Sequence, residues 1–197
     1  MTSASTRIVA GIAALATAVV VSSCSKTEDH STHAASTTTT TSEQVAAHNA
    51  HDVMFAQMMI PHHQQAVELS ALVPDRSTNP AVVKLAATIS GEQQPEITAM
   101  KALLVQWEVD PNTASDHSDM PMDGMVDDAT MAKLQSLKGA EFDTLWLQSM
   151  ISHHQGAIAM AGGEAAGGQN VDMIAMAEKI VTAQQAEIDQ MKQMLGG

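Results

Sequence analysis

The sequence predicts an all-α fold, a four-helix up-down bundle made of two helical hairpins. Apolar residues recur with a helical period in four stretches, and neither half of the chain alternates as a strand would. The predicted helices cover residues 46–72, 80–107, 139–162 and 170–195. The predicted turns are marked by Pro74 and Pro80, and then by Gly162, Gly163, Gly167 and Gly168. Both turns are short, so each helix pair should fold back on itself.

The two predicted hairpins are copies of one another. The run QMMIPHHQQA at 57–66 recurs as QSMISHHQGA at 148–157. The run EQQPEITAMKALL at 92–104 matches AQQAEIDQMKQML at 183–195. Both matches have the same offset of 91 residues, which indicates duplication of a whole unit and not two chance similarities.

The N-terminal segment predicts export and lipid anchoring. Arg7 precedes an apolar run from Ile8 to Val21, which is shorter than the roughly twenty residues that a spanning helix needs. Small residues follow, and then Cys24, the only cysteine. We expect residues 1–23 to be a lipoprotein signal peptide and Cys24 to carry the lipid. The protein would then lie on the outer face of the cytoplasmic membrane, without an internal disulfide.

The rest of the chain divides into four predicted segments. Residues 24–45 are rich in Ser and Thr and contain almost nothing apolar, which predicts a disordered tether. Residues 46–109 form the first helix-pair repeat, and 139–197 form the second. Residues 110–138 form a linker rich in Met, His and Asp, with one short helix.

Composition narrows the class of ligand. The net charge is −13, which argues against nucleic acid or anionic lipid as a partner and favours cations. The chain contains 15 Met and 9 His, but only two Trp, two Phe and no Tyr. This combination of thioether and imidazole side chains indicates soft metal ligands.

The first helix of each repeat carries a methionine and a histidine pair on one broad face. These residues are Met59, His62 and His63 in the first repeat and Met150, His153 and His154 in the second. Adjacent histidines point in different directions around a helix, so one of each pair can enter the bundle while the other reaches a flank or a neighbouring helix. In a chain without usable thiols, these donors suit copper, particularly Cu(I). The alternative is that methionine simply fills the core.

The second helix of each repeat carries a carboxylate inside an apolar stripe. Glu96 and Glu187 occupy equivalent positions, and Gln93 and Gln184 lie one turn before them. A buried carboxylate is costly unless a cation or a donor meets it. We therefore expect these four residues to support the histidines, by hydrogen bonds or as ligands. Further thioethers in the repeats come from Met100, Met160 and Met191.

The linker predicts a second kind of metal site. Its candidate ligands are His117, Met120, Met122 and Met125, among several aspartates. Exposed methionines in an acidic loop have no core to fill, so they suggest metal capture. A simple solvated loop is the equally weighted alternative.

One residue interrupts the first predicted helix. Pro61 stands directly before His62, where the second repeat has Ser152. A proline removes a backbone hydrogen bond, so we expect a kink that aims His62. A helix that begins afresh at Pro61 is the alternative.

The doubled His-His motifs and the later Gln-x-x-Glu-Ile segments resemble the domain of unknown function family 305 over residues 48–197. The resemblance implies a ferritin-like fold, and it implies copper binding and copper tolerance for the histidine pairs and neighbouring methionines. The sequence departs from the motif at Pro61. It departs again at Gln65, where the second repeat has Gly156, which predicts a distorted or weaker first site.

The favoured function is an extracytoplasmic, lipid-anchored, copper-binding protein that sequesters or delivers Cu(I) in copper tolerance. Copper is the expected cofactor, with another divalent metal as an alternative, and a copper-handling protein or a second copy is the expected partner. No catalytic residue is predicted. A metal-free structural or pH-sensing module remains an alternative. A metal-dependent oxidase ranks lower, because Met59 and Met150 stand where a di-iron site needs glutamate.

Overall fold

The computed structural model describes residues 47–112 and 122–196. The helices are α1 Ala50–Ala71, α2 Pro80–Gln106, α3 Asp128–Ser136, α4 Gly139–Gly167 and α5 Val171–Met194. A short 3₁₀ turn, Val73–Asp75, follows α1, and the described ranges contain no strand. The predicted all-α class is confirmed. Several predictions lie outside the described residues: the signal peptide, the tether, and the side chains of Cys24, His117 and Met120.

Asparagine caps fix where three of the long helices begin. The Asn49 side chain accepts hydrogen bonds from the first turn of α1, and the Asn49 backbone N–H donates to the Asp52 carboxylate, which completes a capping box. Asn79 caps α2 and Asn170 caps α5. These two caps are equivalent at the offset of 91 residues. The second helix of each hairpin therefore begins in the same register of its repeat.

Proline does not interrupt either helix of the first repeat. Helix α1 runs through Pro61, and α2 runs through Pro95. Each proline removes one backbone hydrogen bond, but the turns on both sides remain helical. The predicted continuous helix is confirmed, and the alternative start at Pro61 is wrong.

The second predicted turn lies later than expected. Helix α4 continues through Gly162 and Gly163 and ends at Gly167. A Cβ atom on Gly167 would lie 3.1 Å from the His51 ring, so this glycine permits a close approach of α1 to α4. The glycine cluster was predicted to form a turn. In the structure, Gly162, Gly163 and Gly167 belong to α4, and Gly167 allows the helices to pack closely.

Helices α1 and α4 run antiparallel. Trp146 near the start of α4 donates from Nε1 to the carbonyl of Leu69 near the end of α1, at 3.0 Å. At the opposite end, the backbone N–H of Asn170 donates to Asp52 at 2.8 Å. The two repeats are therefore related by an approximate two-fold axis that crosses the α1–α4 contact.

The connection between the hairpins runs the length of the bundle. It leaves α2 at Trp107, which stacks on His48 beside the start of α1. It ends at Gly139, whose N–H donates to the Arg76 carbonyl beyond the end of α1, at 2.7 Å. Up-down order holds within each hairpin, but it does not alternate across this crossover. Crossovers of this kind occur in ferritin-like bundles.

Two apolar clusters divide the core along the bundle. One contains Met59 and Met100 together with Phe55 and Leu104, and the other contains Met150 and Met191 together with Trp146 and Leu69. On each long helix, two buried polar residues lie in sequence between the members of the two clusters: His62 and His63 on α1, Gln93 and Glu96 on α2, His153 and His154 on α4, and Gln184 and Glu187 on α5. A polar layer is therefore enclosed between two apolar ones. None of the described helices combines the length and apolar content needed to cross a membrane.

Candidate metal centre

The polar layer brings both histidine pairs together in the centre of the bundle. The side chains of His62, His63, His153 and His154 are all 0% exposed. Four buried polar residues of α2 and α5 belong to the same layer: Gln93, Glu96, Gln184 and Glu187. We call these eight residues the histidine layer. The sequence allowed the second histidine of each pair to reach a flank or a neighbouring helix, and the structure shows the second of these, because all four rings are buried among helices.

Each repeat forms the same hydrogen bond between a histidine and a glutamate. Nε2 of His63 lies 3.0 Å from Oε2 of Glu96, and Nε2 of His154 lies 2.7 Å from Oε2 of Glu187. A carboxylate oxygen accepts, so Nε2 of each ring carries the proton and donates it. In this tautomer, Nδ1 of His63 and His154 keeps its lone pair.

The other two histidines meet on the two-fold axis. The rings of His62 and His153, equivalent residues of the two repeats, have centroids 3.8 Å apart at an interplanar angle of 40°. Nε2 of His62 donates to the carbonyl oxygen of Asp123 at 3.4 Å, a long contact. This donation again leaves Nδ1 with the lone pair.

Burial keeps the central histidine pair neutral. Desolvation, with a smaller contribution from His63 and His154, lowers the pKa of His62 to about 3. Desolvation also lowers the pKa of His153 well below its ordinary value of 6.5, and His62 adds to the effect. Neutral imidazole is the form that binds metal ions.

Unpaired polar atoms concentrate in this layer. Nδ1 of all four histidines has no hydrogen-bond partner among the described residues, and neither does Nε2 of His153. The same holds for both amide atoms of Gln93, for Oε1 of Gln184 and for Oε1 of Glu187. Buried polar groups without partners are rare and call for an explanation. A bound cation would account for the acceptors among them, since one nitrogen of each neutral imidazole and the amide and carboxylate oxygens have lone pairs to give.

The predicted thioether ligands lie on both sides of the layer. Met59, Met100, Met150 and Met191 are fully buried, and Met160 is half-buried against the cluster that contains Met59. Within the described ranges, no three His, Cys, Asp or Glu side chains are grouped closely enough to hold a metal ion. The layer therefore differs from a carboxylate-rich di-iron site, and a metal there would need methionine or two-ligand coordination.

Among the described residues of the histidine layer, the two glutamates are the most exposed. The side chains of Glu96 and Glu187 are 10% and 9% exposed. Nζ of Lys179 donates to Oε1 of Glu96 at 3.3 Å, whereas the repeat equivalent of Lys179 is Thr88. Desolvation, with the nearby Glu187 and Glu96, raises the pKa of Glu92 on the same side. The two His-Glu pairs are thus alike in geometry but not in electrostatic surroundings.

The crossover covers the opposite side of the layer. We call residues 122–126 the strap. Gln65 of α1 donates to the Val126 carbonyl and accepts from the Val126 N–H, both at 2.8 Å. A Cβ atom on Gly156 of α4 would overlap the carbonyl oxygen of Asp123. Gly124 has a φ of +84°, and a Cβ atom there would overlap the Ser152 carbonyl.

The strap explains why the repeats differ at Gln65 and Gly156, and it contains two of the linker methionines. Gln65 and Gly156 are equivalent residues, and one binds the strap while the other gives it room. The departure at Gln65 is therefore an adaptation to the crossover. Met122 and Met125 are half-buried on the strap, so these two linker methionines belong to a segment packed against the histidine layer.

Sequence reasoning missed a buried carboxyl pair at the end of the bundle. Glu164 is 0% exposed and lies 3.3 Å from Nδ1 of His51. Burial, together with a hydrogen bond to Asp52, raises the pKa of Glu164 to about 7. Burial alone would raise the pKa of Asp52, but hydrogen bonds from the backbones of Asn49, Asn170 and Gln169 outweigh it and lower that pKa. Glu164 lies among glycines that were predicted to form a turn, so the sequence did not indicate that its side chain is buried.

Solved structures provide three informative similarities. A DUF305 protein of Streptomyces coelicolor, named as presumed secreted, is 33% identical with a TM-score of 0.67, over 74% of this chain and 92% of that one. A DUF305 fragment from Deinococcus radiodurans is 32% identical with a TM-score of 0.68, over 75% and 97%. CopM in its Cu(I)-bound form is 32% identical with a TM-score of 0.62, over 73% and 94%.

CopM has also been solved in Cu(II)-bound, Ag-bound and apo forms, each similar to this chain. A search of the curated proteins gives no match. The family model of DUF305, a domain of unknown function, matches residues 52–195. This range covers most of the chain, and the protein belongs to the DUF305 family.

Proposed function

We propose that this protein binds copper outside the cytoplasm, chiefly as Cu(I), and sequesters it or hands it on. One observation carries the proposal. His62, His63 and His154 each donate from Nε2 to an oxygen acceptor and keep a buried Nδ1 that has no partner in the described part of the chain. Metal-binding histidines almost always donate their second ring N–H to a carboxylate or a carbonyl in this way.

The donors around the layer favour copper over harder ions. Neutral imidazoles and buried thioethers are soft ligands, which suit Cu(I). The proposed core ligands are the four histidines with Met59, Met100, Met150, Met160 and Met191, supported by the two glutamates and two glutamines of the layer. CopM binds Cu(I), Cu(II) and Ag in its solved forms, and it belongs among the relatives of this chain.

The linker supplies the second proposed site. His117, Met120, Met122 and Met125 lie within nine residues, and we propose that they capture copper before the core does. Flexible thioethers bind a soft ion without a fixed geometry. The ion would arrive from, or leave to, a copper-handling protein or a second copy of the chain.

The proposed location is the outer face of the cytoplasmic membrane. Its support is the apolar run before Cys24 and the Ser/Thr-rich segment after it. In this arrangement residues 1–23 are removed, a lipid on Cys24 anchors the chain, and residues 24–45 hold the two repeats and their linker away from the membrane.

A metal titration tests the proposed function. The full-length chain in detergent is titrated with Cu(I), Cu(II), Zn(II) and Fe(II), and bound metal and melting temperature are followed together. We expect Cu(I) at one hundred times its Kd to stabilise the fold by about 2.7 kcal/mol, which raises Tm by about 5 to 10 °C. If no metal raises Tm, the histidine layer is a structural hydrogen-bond network and the proposal is wrong.

A further inference from the structure

The strap is seated on the bundle by residues that differ between the two repeats. Two hydrogen bonds of 2.8 Å join Gln65 to the Val126 backbone. The equivalent residue, Gly156, lies directly beneath the Asp123 carbonyl, where any side chain would collide with it. Both members of this equivalent pair contact the strap, so the difference between them matches the single crossover.

The seated strap covers the central histidine pair. The Asp123 carbonyl accepts from Nε2 of His62, and Gly124 lies so close to α4 that a Cβ atom would be 3.0 Å from the His153 Cα. His62 and His153 are completely buried. The carboxylates of the layer, which are partly exposed, bond to His63 and His154 instead. His62 and His153 therefore lie on the side of the layer that the strap covers, whereas His63 and His154 lie on the side of the partly exposed glutamates.

We propose that release of the strap from Gln65 and Gly156 opens the route to His62 and His153, and that Gln65 is a positioning residue for His62. Docked, the strap fixes the His62 tautomer through Asp123 and excludes solvent. Released, it exposes both rings and carries Met122 and Met125 outward, where they can take up an ion. The metal part of this inference rests on the proposed function, whereas the gating part does not.

A metal-free experiment tests the gate. Diethyl pyrocarbonate modifies neutral imidazole, and peptide mass spectrometry gives the rate at each histidine of the full-length chain. Gln65→Ala removes two hydrogen bonds, so labelling of His62 and His153 should become about tenfold faster. His63 and His154 serve as internal references and should not change. Gln64→Ala, at an exposed neighbour on α1, is the matched control.

A second variant moves the strap without weakening its helix. Gly156→Ala places a methyl group against Asp123, yet alanine favours the helix by about 1 kcal/mol. Labelling of His62 and His153 should again accelerate. Gly162→Ala adds the same helical preference where nothing lies within 4 Å of the new methyl group, and it should leave labelling unchanged. Equal rates in Gln65→Ala and Gln64→Ala, or equal acceleration at all four histidines, would overturn the gate.

Copper uptake adds an independent readout. Stopped-flow transfer of Cu(I) from bathocuproine disulfonate should be faster in Gln65→Ala than in Gln64→Ala, by about the same factor as the labelling. If the chain takes no Cu(I) at all, the proposed function fails while the labelling still decides the gate. If labelling accelerates but uptake does not, copper enters past Glu96 and Glu187, and the strap is not its route.

Discussion

Replacing His63 and His154 together with glutamine should lower the affinity of the full-length chain for Cu(I) by at least about a hundredfold. The two imidazoles contribute unpaired Nδ1 atoms from opposite repeats, so the double variant removes a ligand from each half of the core. Loss of a supporting residue behind a ligand typically costs ten- to a hundredfold in affinity. Loss of the ligands themselves should exceed this range.

Glutamine is the informative replacement because it preserves the hydrogen bonds behind the site. Its amide N–H can still donate to Glu96 or Glu187, so neither buried carboxylate loses its partner. Alanine would leave two buried carboxylates unpaired, and the resulting loss of stability would obscure the loss of binding. A circular dichroism melt of the metal-free variant should therefore stay close to that of the wild type.

The measurement is competition for Cu(I) against bathocuproine disulfonate under reducing, oxygen-free conditions. The control variant replaces His48 and His51, which lie at the end of the bundle and contact Trp107 and Glu164. It removes the same number of imidazoles outside the layer and should retain wild-type affinity. Equal affinity in both variants would mean that copper does not bind in the core.

The sequence was sufficient to predict the elements and faces of this fold. The constant offset and the helical period predicted four long helices, and the buried positions of Glu96 and Glu187 followed from the apolar stripe around each. These features are local or repeated, so periodicity detects them. The same reasoning predicted that glutamate would meet histidine, and the distances of 3.0 and 2.7 Å show both pairs formed.

The unpredicted features all depend on contacts between the repeats. Sequence gives no register for α1 against α4, so it did not reveal that His62 stacks on its own equivalent, His153. Nor did it reveal the strap, whose only local signal was Gly124. The glycines near the end of α4 were assigned to a turn, because a close approach to His51 has no signature in a single chain.

The crossover also explains why the duplicated halves had to diverge. The crossover is a single segment, so the two repeats contact different parts of it. Equivalent positions of the repeats therefore face different atoms. Gln65 and Gly156 are such a pair. The equivalent of Glu164 is Val73, so a buried carboxyl pair exists at one end of the bundle and an apolar contact at the other. Asymmetry is therefore expected wherever the connections meet the repeats.

That carboxyl pair should contribute stability in acidic solution that is lost in alkaline solution, and Glu164→Gln should remove this contribution. The pKa of Glu164 is raised from 4.5 to about 7 in the folded chain. Between these values the native state binds more protons than the unfolded state, so stability falls as pH rises. The contribution is complete below pH 4.5 and is lost as pH rises through about 7.

The size of the effect follows from the difference in pKa. A shift from 4.5 to about 7 corresponds to about 3 kcal/mol at 1.36 kcal/mol per unit. The neighbouring Asp52 contributes with the opposite sign, because its lowered pKa stabilises the fold above the ordinary value of 3.8 and not below it. His62 and His153 also contribute with the opposite sign, because their lowered pKa values cost stability below the ordinary value of 6.5. The contribution of Glu164 is therefore measured as the difference between Glu164→Gln and the wild type at each pH.

Urea unfolding at pH 5, 6.5 and 8 measures this contribution. Glutamine has the shape of the protonated glutamate and carries no charge, so Glu164→Gln should match the wild type at pH 5 and exceed its free energy of unfolding by about 2 to 3 kcal/mol at pH 8. Glu178→Gln, at an exposed position of α5, should follow the wild type throughout. If the free energies of unfolding of the two proteins instead differ by the same amount at pH 5 and pH 8, Glu164 is already ionised at pH 5. In that case the hydrogen bond to His51, not burial, governs its charge.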